Sequence, residues 1–260
     1  MNKNNVSRRE FVKRSVAVTA PAMLAATAGS FGAADSQSGA ARPLKVVCVG
    51  GHPDDPESGC AGTLLRYAES GHAVTIIYLT RGERGIAGKS NDEAAKIRSA
   101  ECATACKIIG AQPVFAGQID GSSEFNKTRV EEIKRFVAAE NPDVVFTHWP
   151  IDTHMDHQVA ALLAIRACMA LPRRPQIYFF EVNSGSQTQG FLPNTYVDIT
   201  AVLEKKKAAL FAHVSQDGQA IWRQHHEIIA SWRGREAGVA AAEAFVHVNR
   251  DIPMSKLPAA

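Results

Sequence analysis

The chain has 260 residues, 45% of them hydrophobic and 21% charged, with 29 Lys and Arg against 26 Asp and Glu for a formal net charge of +3. That length supports one good-sized domain, or two small ones, with a core that needs no staples, and the apolar content excludes bulk disorder. No run of 18 apolar residues occurs in the body of the chain, so no stable membrane span is read there.

The positive charge is concentrated at the front. Among residues 1–34, Lys3, Arg8, Arg9, Lys13 and Arg14 face Glu10 alone, a local balance of +4. The remaining 226 residues therefore carry −1, which removes a basic face for nucleic acid. The run Ser7-Arg8-Arg9-Glu10-Phe11-Val12-Lys13, followed by an alanine-rich apolar stretch over residues 16–28, resembles the twin-arginine (Tat) export signal. That resemblance implies passage through the Tat export machinery in the folded state, a periplasmic or extracellular location, and cleavage after Ala28 or Ala34. Residues 1–34 then form the leader, 35–43 a small-residue linker, 44–250 the folded domain and 251–260 a tail.

Beyond the leader, short β-rich runs alternate with longer helical ones. Strands are predicted at 44–50 (LKVVCVG), 73–79 (AVTIIYL), 113–115, 143–147 (DVVFT), 176–181 (QIYFFE), 195–198 and 244–248. Helices are predicted at 60–70, 90–109, 127–140, 157–171, 201–213 and 219–231. Ser90 with Glu93 makes a capping box for the second of these, and Gly110 stops it. The pattern is that of a single α/β domain, a Rossmann-like, mostly parallel sheet with helices on both faces. In such sheets ligands gather outside the carboxyl ends of the strands. The loops to inspect are therefore 50–59, 80–89, 116–125, 148–157 and 183–194.

Three familiar motifs fail on spacing. Gly88-Lys89-Ser90 lacks the earlier glycine of a P-loop, because position 83 is Glu. Gly50 and Gly51 are adjacent and do not form G-x-G-x-x-G, and Ser184-Gly185-Ser186 is no nucleophile elbow. Cys48, Cys60, Cys102, Cys106 and Cys168 include no C-x-x-C and read as small apolar core residues.

Two strand-end loops carry the chemistry. Gly51-His52-Pro53-Asp54-Asp55 follows the first strand, and Asp152-Thr153-His154-Met155-Asp156-His157 follows the 143–147 strand. Together they bring three histidines and four carboxylates to one end of one sheet. Two histidines and a carboxylate with an open position make a catalytic zinc arrangement, and a neighbouring carboxylate outside the ligand set can act as a general base.

His52-Pro53-Asp54-Asp55, continued by Gly59-Cys60-Ala61-Gly62-Thr63-Leu64, resembles the signature of the PIG-L (LmbE-like) zinc-dependent N-deacetylases. The likeness extends through Leu79-Thr80-Arg81-Gly82-Glu83, Arg98-Ser99-Ala100-Glu101, His154-Met155-Asp156-His157 and the segment from Lys206 to Gln216, then Glu243-Ala244-Phe245. It departs at Pro56, where glutamate is frequent, and at Ala61, where glycine is. The resemblance implies that His52, Asp55 and His157 bind Zn2+, with Co2+, Ni2+ or Fe2+ as substitutes. It further implies Asp54 as the base on metal-bound water, His154 as an imidazolium stabilising the oxyanion, and Asp156 holding that imidazolium. The implied substrate is an N-acetylglucosamine-type sugar or glycoside. The rival readings are a zinc hydrolase of another amide or an ester, and a non-catalytic sugar-binding protein. Arg81, Glu83 and Arg84 are candidates for binding substrate hydroxyls, and Arg98 with Glu101 reads as a helix-face ion pair.

Overall fold

The alternation of strand and helix builds one seven-stranded sheet in a computed structural model that describes residues 42–247. The export-signal segment, most of the linker and the tail at 251–260 lie outside the described residues. The strands are β1 (Lys45–Gly50), β2 (Ala73–Tyr78), β3 (Gln112–Phe115), β4 (Val144–His148), β5 (Gln176–Phe180), β6 (Thr195–Asp198) and β7 (Ala242–His247), in the spatial order β3-β2-β1-β4-β5-β7-β6. The first five run parallel, and β7 pairs antiparallel with both β5 and β6. The fold is thus a single α/β domain with a mostly parallel sheet.

The helices are α1 (Asp55–Gly59), α2 (Ala61–Glu69), α3 (Asn91–Ile109), α4 (Lys127–Glu140), α5 (Met155–Met169), α6 (Leu203–Phe211), α7 (Gly218–Ile221) and α8 (Glu227–Ala237). The apolar run of β1 is continuous because helices cover both sheet faces. Val46 and Cys48 point into the core under α2, α3 and α6, while Val47 and Val49 point into the core under α4 and α5. All five cysteines are buried within these two clusters. Among the described residues, no helix is long and apolar enough to cross a membrane.

Several boundaries differ from the sequence expectation. The helix expected from residue 60 begins at Asp55 and breaks once at Cys60, giving α1 and α2. The helix expected over 219–231 is interrupted by a π-helical turn, Trp222–His226. The Ser90–Glu93 box and the left-handed Gly110 bound α3 as predicted.

The chain leaves β1 for β2 on one side and later returns to β4 on the other. This switch in strand order opens a crevice at the carboxyl ends of β1 and β4. Both chemistry-bearing loops empty into it.

Candidate active site

Beyond β1 the chain turns sharply through Gly50 and Gly51 into α1. A Cβ on Gly50 would lie 2.6 Å from Cγ of Pro56, so only glycine lets the strand pass that close to the helix. Asp54, just before α1, holds φ at 119°, a strained value for a residue with a side chain. The backbone N–H of His52 donates to Asp55 Oδ2 at 2.7 Å, which folds the carboxylate back over the turn. Beyond β4, His154 is the N-cap of α5, and its Nδ1 accepts the backbone N–H of Asp156 at 3.2 Å. Asp156 and His157 therefore occupy the first turn of α5, aimed back at the crevice.

The two loops interlock through Asp55. Its Oδ2 lies 3.1 Å from His52 Nδ1, and its Oδ1 lies 3.2 Å from His157 Nε2. The far ring nitrogen of each histidine is also held by a carboxylate. His157 Nδ1 is 3.2 Å from Asp152 Oδ1, and His52 Nε2 is 3.0 Å from Asp156 Oδ2 and 3.2 Å from Asp120 Oδ1. His52, Asp55 and His157 are each at least 94% buried. Burial opposes charge on the imidazoles, yet the facing carboxylates raise His52 well above its usual pKa and lift His157 to about 9. Burial likewise opposes ionisation of Asp55, but His157, His148 and His52 pull its carboxyl well below the usual range.

This donor set fits a divalent cation. Buried nitrogen and carboxylate donors converge within reach of a single ion. Carboxylates face the far nitrogens of His52 and His157, an arrangement found behind metal-binding imidazoles, and Asp120 and Asp156 also form a group able to hold an ion with His52 and His154. The ligand atoms of His52, His154 and His157 lie within 4.8 Å of one another, as do those of Asp55, His148 and His157.

Asp156 sits differently from the sequence expectation, which had it hold the His154 ring. Its carboxylate, fully shielded from solvent, accepts from the backbone of Gly121 at 2.7 Å and Ser123 at 3.3 Å and faces His52. Its hydrogen bond to His154 is made by the backbone amide, while its carboxylate oxygen lies within 4.8 Å of a His154 ring nitrogen. Burial, and after it the charges on His52 and His157, lower the pKa of His154. With Nδ1 accepting, the neutral ring carries its proton on Nε2.

Asp54 lies beside this cluster with its Oδ1 3.1 Å from an Arg98 Nη. Burial pushes its carboxyl up, with Arg98 acting in the opposite sense. Arg98 is therefore not a helix-face partner of Glu101. Its guanidinium fills a slot against Gly82 and Gly85, where a Cβ would lie 2.2 Å from Nη1, and it donates to the Pro53 carbonyl. Glu101 instead accepts from the backbone N–H and hydroxyl of Ser215.

These groups line a cavity of about 330 Å³, walled also by Arg84, Asp120, Gly121, Asn183, Gln187, Gln216 and Ile221. Of the three residues expected to bind substrate, Arg84 borders the cavity. Glu83 is buried and accepts from Arg81 and from the backbone of Asp120, so this pair shapes the loop behind the wall. Sequence reasoning also missed His148, which ends β4, stacks on His157 at 4.2 Å and accepts the Gly51 N–H at 3.0 Å. Burial, and then His157, lower its pKa to about 4. The position of His148 at a strand carboxyl end was its only signal. Asp120 lay in an inspected loop with no neighbouring chemistry to single it out.

The family model described as GlcNAc-PI de-N-acetylase (PIG-L) matches residues 47–168. The diacetylchitobiose deacetylase of Thermococcus kodakarensis is 31% identical over 218 residues, 76% of this chain and 81% of that one. The 4-oxalmesaconate hydratase of Pseudomonas putida is 27% identical over 78% of this chain and 86% of its own. Among solved structures, the N,N'-diacetylchitobiose deacetylase from Pyrococcus horikoshii superposes with a TM-score of 0.70 at 26% identity, covering 79% of this chain and 84% of that one. With those motifs, that fold and relatives matched over most of their length, the chain belongs to the PIG-L family.

Proposed function

We propose that this chain is a metal-dependent hydrolase that removes the N-acetyl group from an N-acetylglucosamine-type sugar or glycoside. The observation that carries the reading is the pairing of a buried His52–Asp55–His157 cluster with a carboxylate, Asp54, that stands beside it and is held by Arg98 instead. His52, Asp55 and His157 would hold the ion, with zinc the metal best suited to two imidazoles and a carboxylate. When bound, the ion supplies Lewis-acid polarisation and acidifies water.

The remaining work falls to the chain's own side chains. Asp54 takes a proton from the attacking water and returns it to the amide nitrogen as the C–N bond breaks, so acetic acid and a free amine leave with protons balanced, the acid then ionising in water. Its raised pKa favours that return. His154 Nε2–H, fixed as the donor by the Asp156 amide on Nδ1, stabilises the carbonyl oxygen as negative charge develops. The ring does so as a neutral donor. Asp156 holds His52, and Asp152 holds His157. The cavity volume suits a sugar ring, and Arg84, Asn183, Gln187 and Gln216 offer polar groups at its wall for hydroxyls.

A second reading follows from the hydratase relative, because adding water across a C=C bond uses the same water and base. A carboxylate-rich substrate would need cationic partners. Of the two arginines lining the cavity, Arg98 is already committed to Asp54. The sugar reading is therefore preferred. The export resemblance of residues 7–13 supports a substrate met outside the cytoplasm.

The test is acetate release from a panel of N-acetylated mono- and disaccharides by the metal-loaded protein, run beside Asp54→Ala. The expected result is turnover by the wild type and a loss of about 100- to 10,000-fold in the variant. Turnover in the variant within a few-fold of wild type would overturn the role of Asp54. Water addition to an unsaturated carboxylic acid, with no acetate released from any sugar, would establish the second reading.

A further inference from the structure

One carboxylate near the site has no part in the scheme above. Glu57 lies on α1, fully buried, and a buried acid is expensive unless each oxygen is paired. Its Oε1 accepts the Tyr78 hydroxyl at 2.6 Å and lies 3.4 Å from Nε2 of the buried His213. Its Oε2 accepts the backbone N–H of Asp54 at 3.1 Å. That N–H belongs to the same peptide group as the Pro53 carbonyl, which accepts from Arg98. The Pro53–Asp54 peptide is thus gripped at both ends by charged side chains, one from α1 and one from α3. The rotation of this plane sets φ of Asp54, whose value of 119° lies outside the left-handed region that Asn183, at 46° on the cavity wall, adopts. Strain of this kind persists only where surrounding contacts over-determine it.

We propose that Glu57, braced by Tyr78, is a positioning residue. It holds the Pro53–Asp54 peptide in the rotation that aims the Asp54 carboxylate into the cavity, and it touches neither substrate nor ion. The inference rests on the reading of Asp54 as the proton-transferring group. Glu57 from α1 and Arg98 from α3 meet the peptide plane directly, and Tyr78 from β2 braces the first of them.

The experiment compares Glu57→Gln and Tyr78→Phe with wild type for acetate release, bound metal and melting temperature, each repeated in an Asp54→Ala background. The amide of Glu57→Gln has one acceptor oxygen where the carboxylate has two, so one donor loses its partner. The expected result is a kcat at least tenfold lower for Glu57→Gln and about threefold lower for Tyr78→Phe, with KM and metal stoichiometry within twofold of wild type. Neither change should lower the residual rate of Asp54→Ala further, because a residue acting only through Asp54 has nothing left to aim. A crystal structure of Glu57→Gln should show φ of Asp54 relaxed. An unchanged kcat, a loss that recurs in the Asp54→Ala background, or a loss explained by missing metal overturns the proposal. If Glu57→Gln does not fold, Tyr78→Phe decides by the same criteria. A wild type that releases no acetate from any sugar refutes the deacetylase reading, whereas an active wild type with unaffected variants refutes the role of Glu57 alone.

Discussion

Asp55 and Asp143 stand at opposite ends of the sheet, and each collects several donors on two oxygens. Asp143, just before β4, accepts the backbone N–H of Lys45 at 2.9 Å, both Nη of Arg42 at 2.5 and 2.9 Å, and an Arg173 Nη at 2.6 Å. Asp55 faces three imidazoles, His52, His157 and His148, at 3.1 to 3.4 Å. The difference lies in what the partners can give up. Guanidinium groups keep their protons at any ordinary pH, so the Asp143 cluster is closed and its energy goes into tying β1 to β4. An imidazole nitrogen, unlike a guanidinium, is a metal donor once its proton is displaced, so the Asp55 cluster has side chains that can take a cation. At one end of the sheet carboxylate chemistry is structural, and at the other it is kept available.

The sharpest way to break the comparison is to remove the aspartate at each end. Asp55→Ala takes away the carboxylate shared by His52 and His157, and metal affinity should fall by more than the roughly 100-fold upper limit typical of an outer partner. Metal that binds the native state raises its melting temperature, so added zinc should stabilise the wild type and leave Asp55→Ala unmoved. Titration calorimetry and thermal melts with and without chelator check both statements. Equal metal responses in the two proteins would remove Asp55 from the ligand set.

A smaller effect is expected one layer out. Asp152→Asn keeps shape while taking the charge from behind His157, where Oδ1 lies 3.2 Å from Nδ1. Metal affinity should drop by about 10- to 100-fold, the usual cost of losing an oriented outer carboxylate. Asp152 also accepts the backbone N–H of His154 at 2.8 Å and the Thr188 hydroxyl at 3.0 Å. The amide retains an oxygen for one of these, so the melting temperature of the metal-free protein should change less than the affinity does. The reverse order of effects would make Asp152 a structural residue like Asp143.

The sheet was legible because its signals are local and redundant. The 45–50 run is apolar at nearly every position, and the bounds of α4 and β6 came out as predicted, at Lys127–Glu140 and Thr195–Asp198. The two histidine–aspartate loops were legible for the same reason, since strand end and chemistry coincide in sequence. What escaped depends on partners remote in the chain. Arg98 pairs plausibly with Glu101 along its own helix, and only the Gly82–Gly85 slot and Asp54, supplied by other loops, redirect it. Asp156 beside His154 suggested a pair, but at the first turn of α5 its side chain points to His52 and the loop at Gly121. The π turn at Trp222–His226 has no local signature in the sequence.

The Asp143 cluster should yield the smallest effect and a distinctive pH dependence. Arg42 and Arg173 are about half exposed or more, so solvent and salt weaken their attraction and the net value of the cluster is about 1 kcal/mol. The Arg42 guanidinium, with help from the Lys45 amide and Arg173, holds the Asp143 carboxyl well below the usual carboxylate range. A carboxyl depressed in the folded state stabilises it fully above the unfolded pKa near 3.9, and the contribution drains away as pH falls toward the folded value. Asp143→Asn should therefore be less stable than wild type by about 1 kcal/mol at pH 7, with the gap narrowing steadily below about pH 4. Denaturant titrations at pH 7, 5 and 3.5 measure it, and 0.5 M salt at pH 7 should shrink it as well. A gap that widened on acidification would mean that the carboxylate at this end of the sheet is held by something other than its arginines.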